Sequence, residues 1–190
     1  MSKELIKRIL SALILLPVSF FFIITGSNLF IYFFLFILFL TLYEWHCLSF
    51  NKKYYIYGIV FIFLSFYTVY DLRIHGDYKI FLLIIIVCIS TDIGGYFFGK
   101  IIKGPKLTKI SPNKTISGTF GSFILPLITG LIYNYYSELN LNTIFETSTF
   151  DLYIKFKIEL ILVVLAVSLT SQIGDLVISY FKRLSNIKDT

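Results

Sequence analysis

Apolar positions in this chain run in long blocks instead of alternating with polar ones. Six blocks stand out, at about 9–25, 29–48, 54–70, 80–98, 119–136 and 158–180. Crossing roughly 30 Å of hydrocarbon at 1.5 Å per residue takes about 17–25 mostly apolar residues in a helix, and each block meets that need. A helix satisfies its own backbone N–H and C=O groups, which lipid cannot do. The pattern therefore predicts an all-α, polytopic integral membrane helical bundle with about six transmembrane helices in one domain over 1–190. No small-residue cleavage site follows the first block, so it reads as an anchor and not as a removed signal peptide.

Composition and charge sharpen this picture. Residues are 57% hydrophobic, 19% aromatic and only 15% charged, too little polar surface to cover a soluble core. With the N-terminus in the cytoplasm and the blocks alternating sides, 13 of the 17 lysines and arginines fall on cytoplasmic segments. Only Arg73, Lys79, Lys155 and Lys157 fall opposite, so both termini are expected in the cytoplasm. The short loops and missing targeting peptide favour a bacterial inner membrane. The net charge of +6 sits beside the spans, which points to anionic lipid headgroups or a phosphorylated substrate and away from nucleic acid. Cys47 and Cys88 lack metal spacing and read as small buried hydrophobes; His46 and His75 are isolated and take no ligand role.

The second half carries the candidate chemistry. At 100° per residue from Asp175, Ser171 lies at about −40°, Ser168 at about +20°, Ser179 at about +40° and Lys182 at about −20°. Gln172 lies at the edge of this sector, about 60° away. An ionised acid facing lipid is costly, so this polar stripe should face protein or a water-filled cavity. The serines alone read as glue between helices. Asp175 followed by Lys182 and Arg183 reads as an acid that can hold a metal beside cations that can hold phosphates, the set that phosphoryl or nucleotidyl transfer needs.

A second acid, Asp92, shares a helix face with Gly95 and Gly99 near the end of the fourth block. Close helix packing accounts for the glycines but not for the carboxylate. The following loop contains "SPNKTISG", which offers Ser111, Lys114 and Thr115 within five residues, with Gly118 allowing close backbone approach. It is not a Walker loop. Segment 137–157 has no obvious chemistry and reads as a connector with a surface helix. "YEWHCLS" ends the second block with Trp45 in the place of an interfacial belt residue, and Glu44 is equally consistent with a polar cavity or the interface.

"GDLVISYFKRLSNIKD" closely resembles the signature of the phosphatidate cytidylyltransferases, through Gly174-Asp175-Leu176, Ser179, Lys182-Arg183 and Lys188-Asp189. "DIGGYFFGK" and "SPNKTISG" are similar to two further stretches of that family, in the same order, and "YEWHCLS" is a weaker echo. The resemblance implies transfer of a cytidylyl group from CTP to phosphatidate, giving CDP-diacylglycerol and pyrophosphate with a divalent cation, usually magnesium. It implies Asp175 as metal ligand, with Lys182, Arg183 and Lys188 on phosphates. Ser111, Lys114 and Thr115 would grip substrate, with Asp92, Ser179 and Asp189 as further substrate-site residues. CTP, phosphatidate and membrane lipids are the implied partners, and a homodimer stays open.

Three departures qualify the match. The family often has Glu where this chain has Ser117 and Ile178. In the family a Pro-Gly-His-Gly-Gly stretch and an Asp-Arg-x-x-Asp element follow the Lys-Asp pair, and the latter supplies a partner carboxylate for the metals. This chain stops at Thr190, so the reading is of a C-terminally incomplete domain. Alternatives from the residues are a CTP-dependent polyprenol or phytol kinase, a noncatalytic remnant, and a transporter using Asp92 and Asp175. Against the transporter, polar residues cluster to one side and there is no inverted repeat.

Overall fold

A single residue, Gly26, separates the first two helices, and its φ of 62° is one that only glycine adopts freely. The computed structural model describes residues 3–108, 111, 114–137 and 152–184, with side chains described from residue 13 onward except at 27 and 152–157. Six helices make up the described chain: α1 (Lys3–Thr25), α2 (Ser27–Ser49), α3 (Tyr55–His75), α4 (Tyr78–Ile101), α5 (Ile116–Ser137) and α6 (Leu152–Leu184). Among the described residues, the stretches Asn28–Ser49, Tyr55–His75, Tyr78–Ile101, Ile116–Ser137 and Ile158–Leu184 are long and apolar enough to cross a membrane. The described side chains of α1, Leu13–Thr25, form a shorter apolar helix. The protein is thus an all-α, multi-pass membrane protein, as the blocks of apolar sequence predict.

Several hydroxyls within these helices bond to their own helix backbone. Ser19, Thr25, Thr41, Ser65 and Thr170 each donate to the carbonyl four residues back. That local bond lets a polar side chain sit in an apolar segment without leaving its proton in lipid.

The chain divides into two compact units, Met1–Tyr70 and Asp71–Thr190. In the first, aromatic rings join the helices: Phe22 stacks on Phe33 at 4.8 Å, and Phe34 meets Phe66 at 5.0 Å. Trp45 closes the turn between α2 and α3. Its indole covers Gly58, where a Cβ would come within 1.9 Å of the ring, and its Nε1 donates to the Tyr55 carbonyl at 3.0 Å. Only 9% of Trp45 is exposed, so the ring packs inward at the end of α2. Glycine at 58 opens the slot that draws the ring in. Glu44 is exposed, and so is Cys47, contrary to its reading as a buried hydrophobe; Cys88 is half-buried and both thiols are free.

In the second unit α4, α5 and α6 pack together. The core holds Ile80, Leu83 and Val87 of α4 against Leu160 and Val164 of α6, at the three- and four-residue spacings of a helix face. Lipid is as apolar as leucine, so close fit and cross-helix hydrogen bonds hold such helices together. Thr91 Oγ1 donates to Ser168 Oγ at 3.1 Å between α4 and α6, and Thr129 Oγ1 to Ser90 Oγ at 3.0 Å between α5 and α4. Where α4 begins and α5 ends, Tyr133 donates to the Lys79 carbonyl at 2.9 Å, and Lys79 Nζ to the Ser137 carbonyl at 2.8 Å.

Glycines bring α4 and α5 into backbone contact. A Cβ on Gly94 would lie 2.3 Å from the Gly121 carbonyl oxygen, and one on Gly118 would lie 2.7 Å from that of Gly95. Gly118 therefore serves this seam. The sixth helix is 33 residues long, against a predicted span of 158–180. At 1.5 Å per residue that is about 50 Å, more than a bilayer core requires. Residues 152–157, read from sequence as part of a connector, belong to α6, whereas 138–151 lie outside the described residues.

Candidate active site

The segment between α4 and α5 turns back on itself. Lys103 and Gly104 have φ values of 56° and 127°, which reverse the chain after α4. Leu107 N donates to the Lys114 carbonyl at 2.8 Å, Ile116 N donates to the Pro105 carbonyl at 3.1 Å, and Lys106 and Thr115 form an antiparallel bridge. Thr115 then caps α5: its Oγ1 accepts from Gly118 N at 3.1 Å, satisfying one of the free N–H groups of the first turn. Ser117 donates its hydroxyl to the Lys103 carbonyl and so ties α5 to the turn. At one of the two positions where glutamate was anticipated, this chain thus has a structural hydroxyl; at the other, Ile178 is exposed.

This clasp delivers Lys114 to α6. Its Nζ lies 2.9 Å from Asp175 Oδ2, with 29% of the lysine and 52% of the aspartate side chain exposed. So exposed a pair adds at most about 1 kcal/mol, which leaves both partners available to a ligand. Asp92 lies within electrostatic reach of both Asp175 and Lys114. These three charges line a cavity of about 290 Å³ together with Ser111, Thr115 and Gln172.

Of the residues singled out in the sequence, Asp92, Ser111, Lys114, Thr115 and Asp175 line this one cavity. Ser179, Lys182 and Arg183 lie farther along α6 and do not line it. Lys188 and Asp189 lie outside the described residues. Thr91, Thr119 and Ser122 also line the cavity, and the sequence did not single them out. They sit in spans where a hydroxyl most often serves packing, and only their convergence separates them from the rest. Ser168 is fully buried against Thr91, the helix-gluing role its residue type predicts.

Among the described residues no group of three or more His, Cys, Asp or Glu side chains forms a metal cage. Asp92 and Asp175 together nonetheless suit a hard cation such as magnesium, which protein sites typically hold by one or two carboxylates plus substrate phosphates.

A family model described as "Cytidylyltransferase family" matches residues 54–190. The chain belongs to the cytidylyltransferase family. The match takes in every residue of the cavity. Among relatives, the chain is 36% identical over 134 residues to the phosphatidate cytidylyltransferase of Staphylococcus aureus strain COL, covering 70% of this chain and 46% of that protein. It is 33% identical over 134 residues to the enzyme of the same name from Staphylococcus haemolyticus, with the same coverage. The chain spans about half the length of these curated relatives. No solved structure matches it.

Proposed function

We propose that this chain carries the nucleotide and headgroup site of a phosphatidate cytidylyltransferase, which makes CDP-diacylglycerol and pyrophosphate from CTP and phosphatidate. The observation that carries this reading is the meeting of Asp92, Lys114 and Asp175 in one cavity, since they come from three separate stretches that resemble the same family. The names of the staphylococcal relatives support the substrate pair.

The chemistry is a displacement at phosphorus. An oxygen of the phosphatidate phosphate bonds to the α-phosphorus of CTP. The bond from that phosphorus to the bridging oxygen breaks, and its electron pair leaves with pyrophosphate. Both reactants are anions, so the protein must screen charge and hold them in line. Lys114 moves from the Asp175 carboxylate to a phosphate oxygen as the nucleotide enters. Ser111 and Thr115 hydrogen-bond phosphate oxygens beside it. Lys182 and Arg183 continue the cationic field along α6, with Ser179, Lys188 and Asp189 as further substrate contacts. Asp175, with Asp92, would hold a magnesium ion, whose charge offsets that of the phosphates.

The site lies on the cytoplasmic side of a bacterial inner membrane, where CTP arrives from water and phosphatidate enters from the bilayer. The lysine and arginine distribution and the bacterial relatives support this placement.

The test is formation of CDP-diacylglycerol from labelled CTP and phosphatidate with magnesium in detergent micelles. It uses the chain alone and the chain continued after Thr190 with the C-terminal residues of the S. aureus relative. Product that disappears in Asp175→Asn supports the reading. Folded protein that makes no product in either form sinks it.

A further inference from the structure

We infer that Gln172 reads the base of the nucleotide, an inference that rests on the function proposed above. Among the described residues lining the cavity, Gln172 alone has a buried side-chain polar atom with no hydrogen-bond partner, its Nε2. A buried polar atom left unpaired is costly, so such an amide in a cavity wall points to a ligand that pairs with it.

Its position says which part of the ligand. Gln172 precedes Asp175 by three residues on α6, about 4.5 Å farther from the Lys182–Arg183 end. The same cavity is lined by Thr91, 1% exposed, and Ser122, 5% exposed. Ser122 is seven residues beyond Thr115 along α5, about 10 Å from the clasp that carries Lys114. The cavity is therefore cationic at the clasp, whereas its deeper end holds no cation and has Asp92, next to Thr91 on α4, as its charge. A triphosphate belongs at the first and the uncharged base at the second.

The hydrogen-bonding pattern narrows the base. Thr91 and Ser122 have committed their hydroxyl protons: Thr91 shares its single proton between the Val87 carbonyl and Ser168 Oγ, and Ser122 donates to the Gly118 carbonyl. Their oxygens have only lone pairs left to offer a ligand, which calls for donors on it. A carboxamide offers one donor and one acceptor side by side and pairs with an edge of the opposite order. The N3 acceptor and the 4-amino donor of cytosine form such an edge, and the second amino proton suits a hydroxyl oxygen. Uracil places a carbonyl where that amino group would be and so meets lone pairs with lone pairs. The esters of phosphatidate have acceptors only, which assigns this end to the base and not to the lipid.

The experiment titrates CTP, UTP and inorganic tripolyphosphate calorimetrically into the 190-residue chain in detergent micelles with magnesium. The wild-type chain should bind CTP about tenfold or more tightly than UTP. Gln172→Met, and Gln172→Asn, which withdraws the amide by one methylene, should reduce that ratio to about threefold or less. Tripolyphosphate affinity should stay within about twofold in both, because the cationic end is untouched. Equal binding of CTP and UTP by the wild type, or an undiminished ratio in both variants, overturns the inference while leaving the transferase reading intact. Loss of tripolyphosphate binding in both variants overturns it too, by making the amide a folding residue. A wild-type chain that binds none of the three, both alone and continued after Thr190 as above, sinks the transferase reading itself.

Discussion

Lys114 Nζ and Asp175 Oδ2 stand 2.9 Å apart, a contact that joins the α4–α5 clasp to α6 across 61 residues of sequence. Each group carries the charge that the other's ligand would carry, so the pair marks where a cation and a phosphate would meet. Asp175→Asn should lower CDP-diacylglycerol formation by about 100-fold or more, the scale of losing one charge-stabilising group. Lys114→Met should weaken CTP binding, most strongly at low salt, where an exposed cation is least screened. The two losses should add to less than their sum, as a double-mutant cycle on the activity would measure.

The α4–α5 seam makes a sharper demand on side-chain size. Gly121→Val must place atoms where Phe98 and the Gly94 carbonyl already lie, at 2.5 and 2.6 Å from a Cβ. Overpacking of this kind costs about 1–3 kcal/mol, and a rigid carbonyl at the contact puts the change at the upper end. Thermal unfolding in micelles should show a clear fall. Gly174→Ala should show none, because nothing lies within 4 Å of its added Cβ.

Thr91→Val tests the bond between α4 and α6. It keeps the shape but removes the donor to Ser168. Hydrogen bonds between membrane helices contribute about 0.6 kcal/mol on average and at most about 1.7. Stability measured by unfolding in micelles should drop within that range.

Trp45 is the chain's single tryptophan, so its fluorescence reports on the α2–α3 turn alone. Gly58→Leu should expel the indole from its slot, shift its emission to longer wavelength and destabilise the first unit. Gly95→Ala, in the other unit, should leave that emission unchanged.

Long apolar blocks gave the helices away, because crossing lipid constrains length and composition together. They did not give the ends of α6, since a helix can continue past the apolar stretch wherever its hydrogen bonds remain satisfied. Asp175, Asp92 and Lys114 were legible because charge within or beside a span is expensive and therefore conspicuous. Their meeting in one cavity was suggested only by resemblance, as sequence spacing cannot bring together residues 61 positions apart. Thr91, Ser122 and Thr119 were not legible at all. Their residue type is ordinary in a membrane helix, and which hydroxyls face a cavity depends on how three helices are rotated against one another. The packing of Trp45 was hidden for a related reason: an indole at a span's end suits an interface, and only the missing side chain of Gly58 makes the slot into which it packs.

Backbone contact between α4 and α5 fixes one jaw of the cavity. Those helices have no side chains to compress at Gly94 and Gly121, so they can neither close further nor part without losing contact along the whole seam. The other jaw is α6 beyond Ser168, which the Lys114–Asp175 ion pair bridges to the clasp. The gauge of the site is therefore set by the side-chain contacts that hold α6, Thr91 to Ser168 and Lys114 to Asp175, and substrate size should be selected by that wall and not by the glycine-lined one.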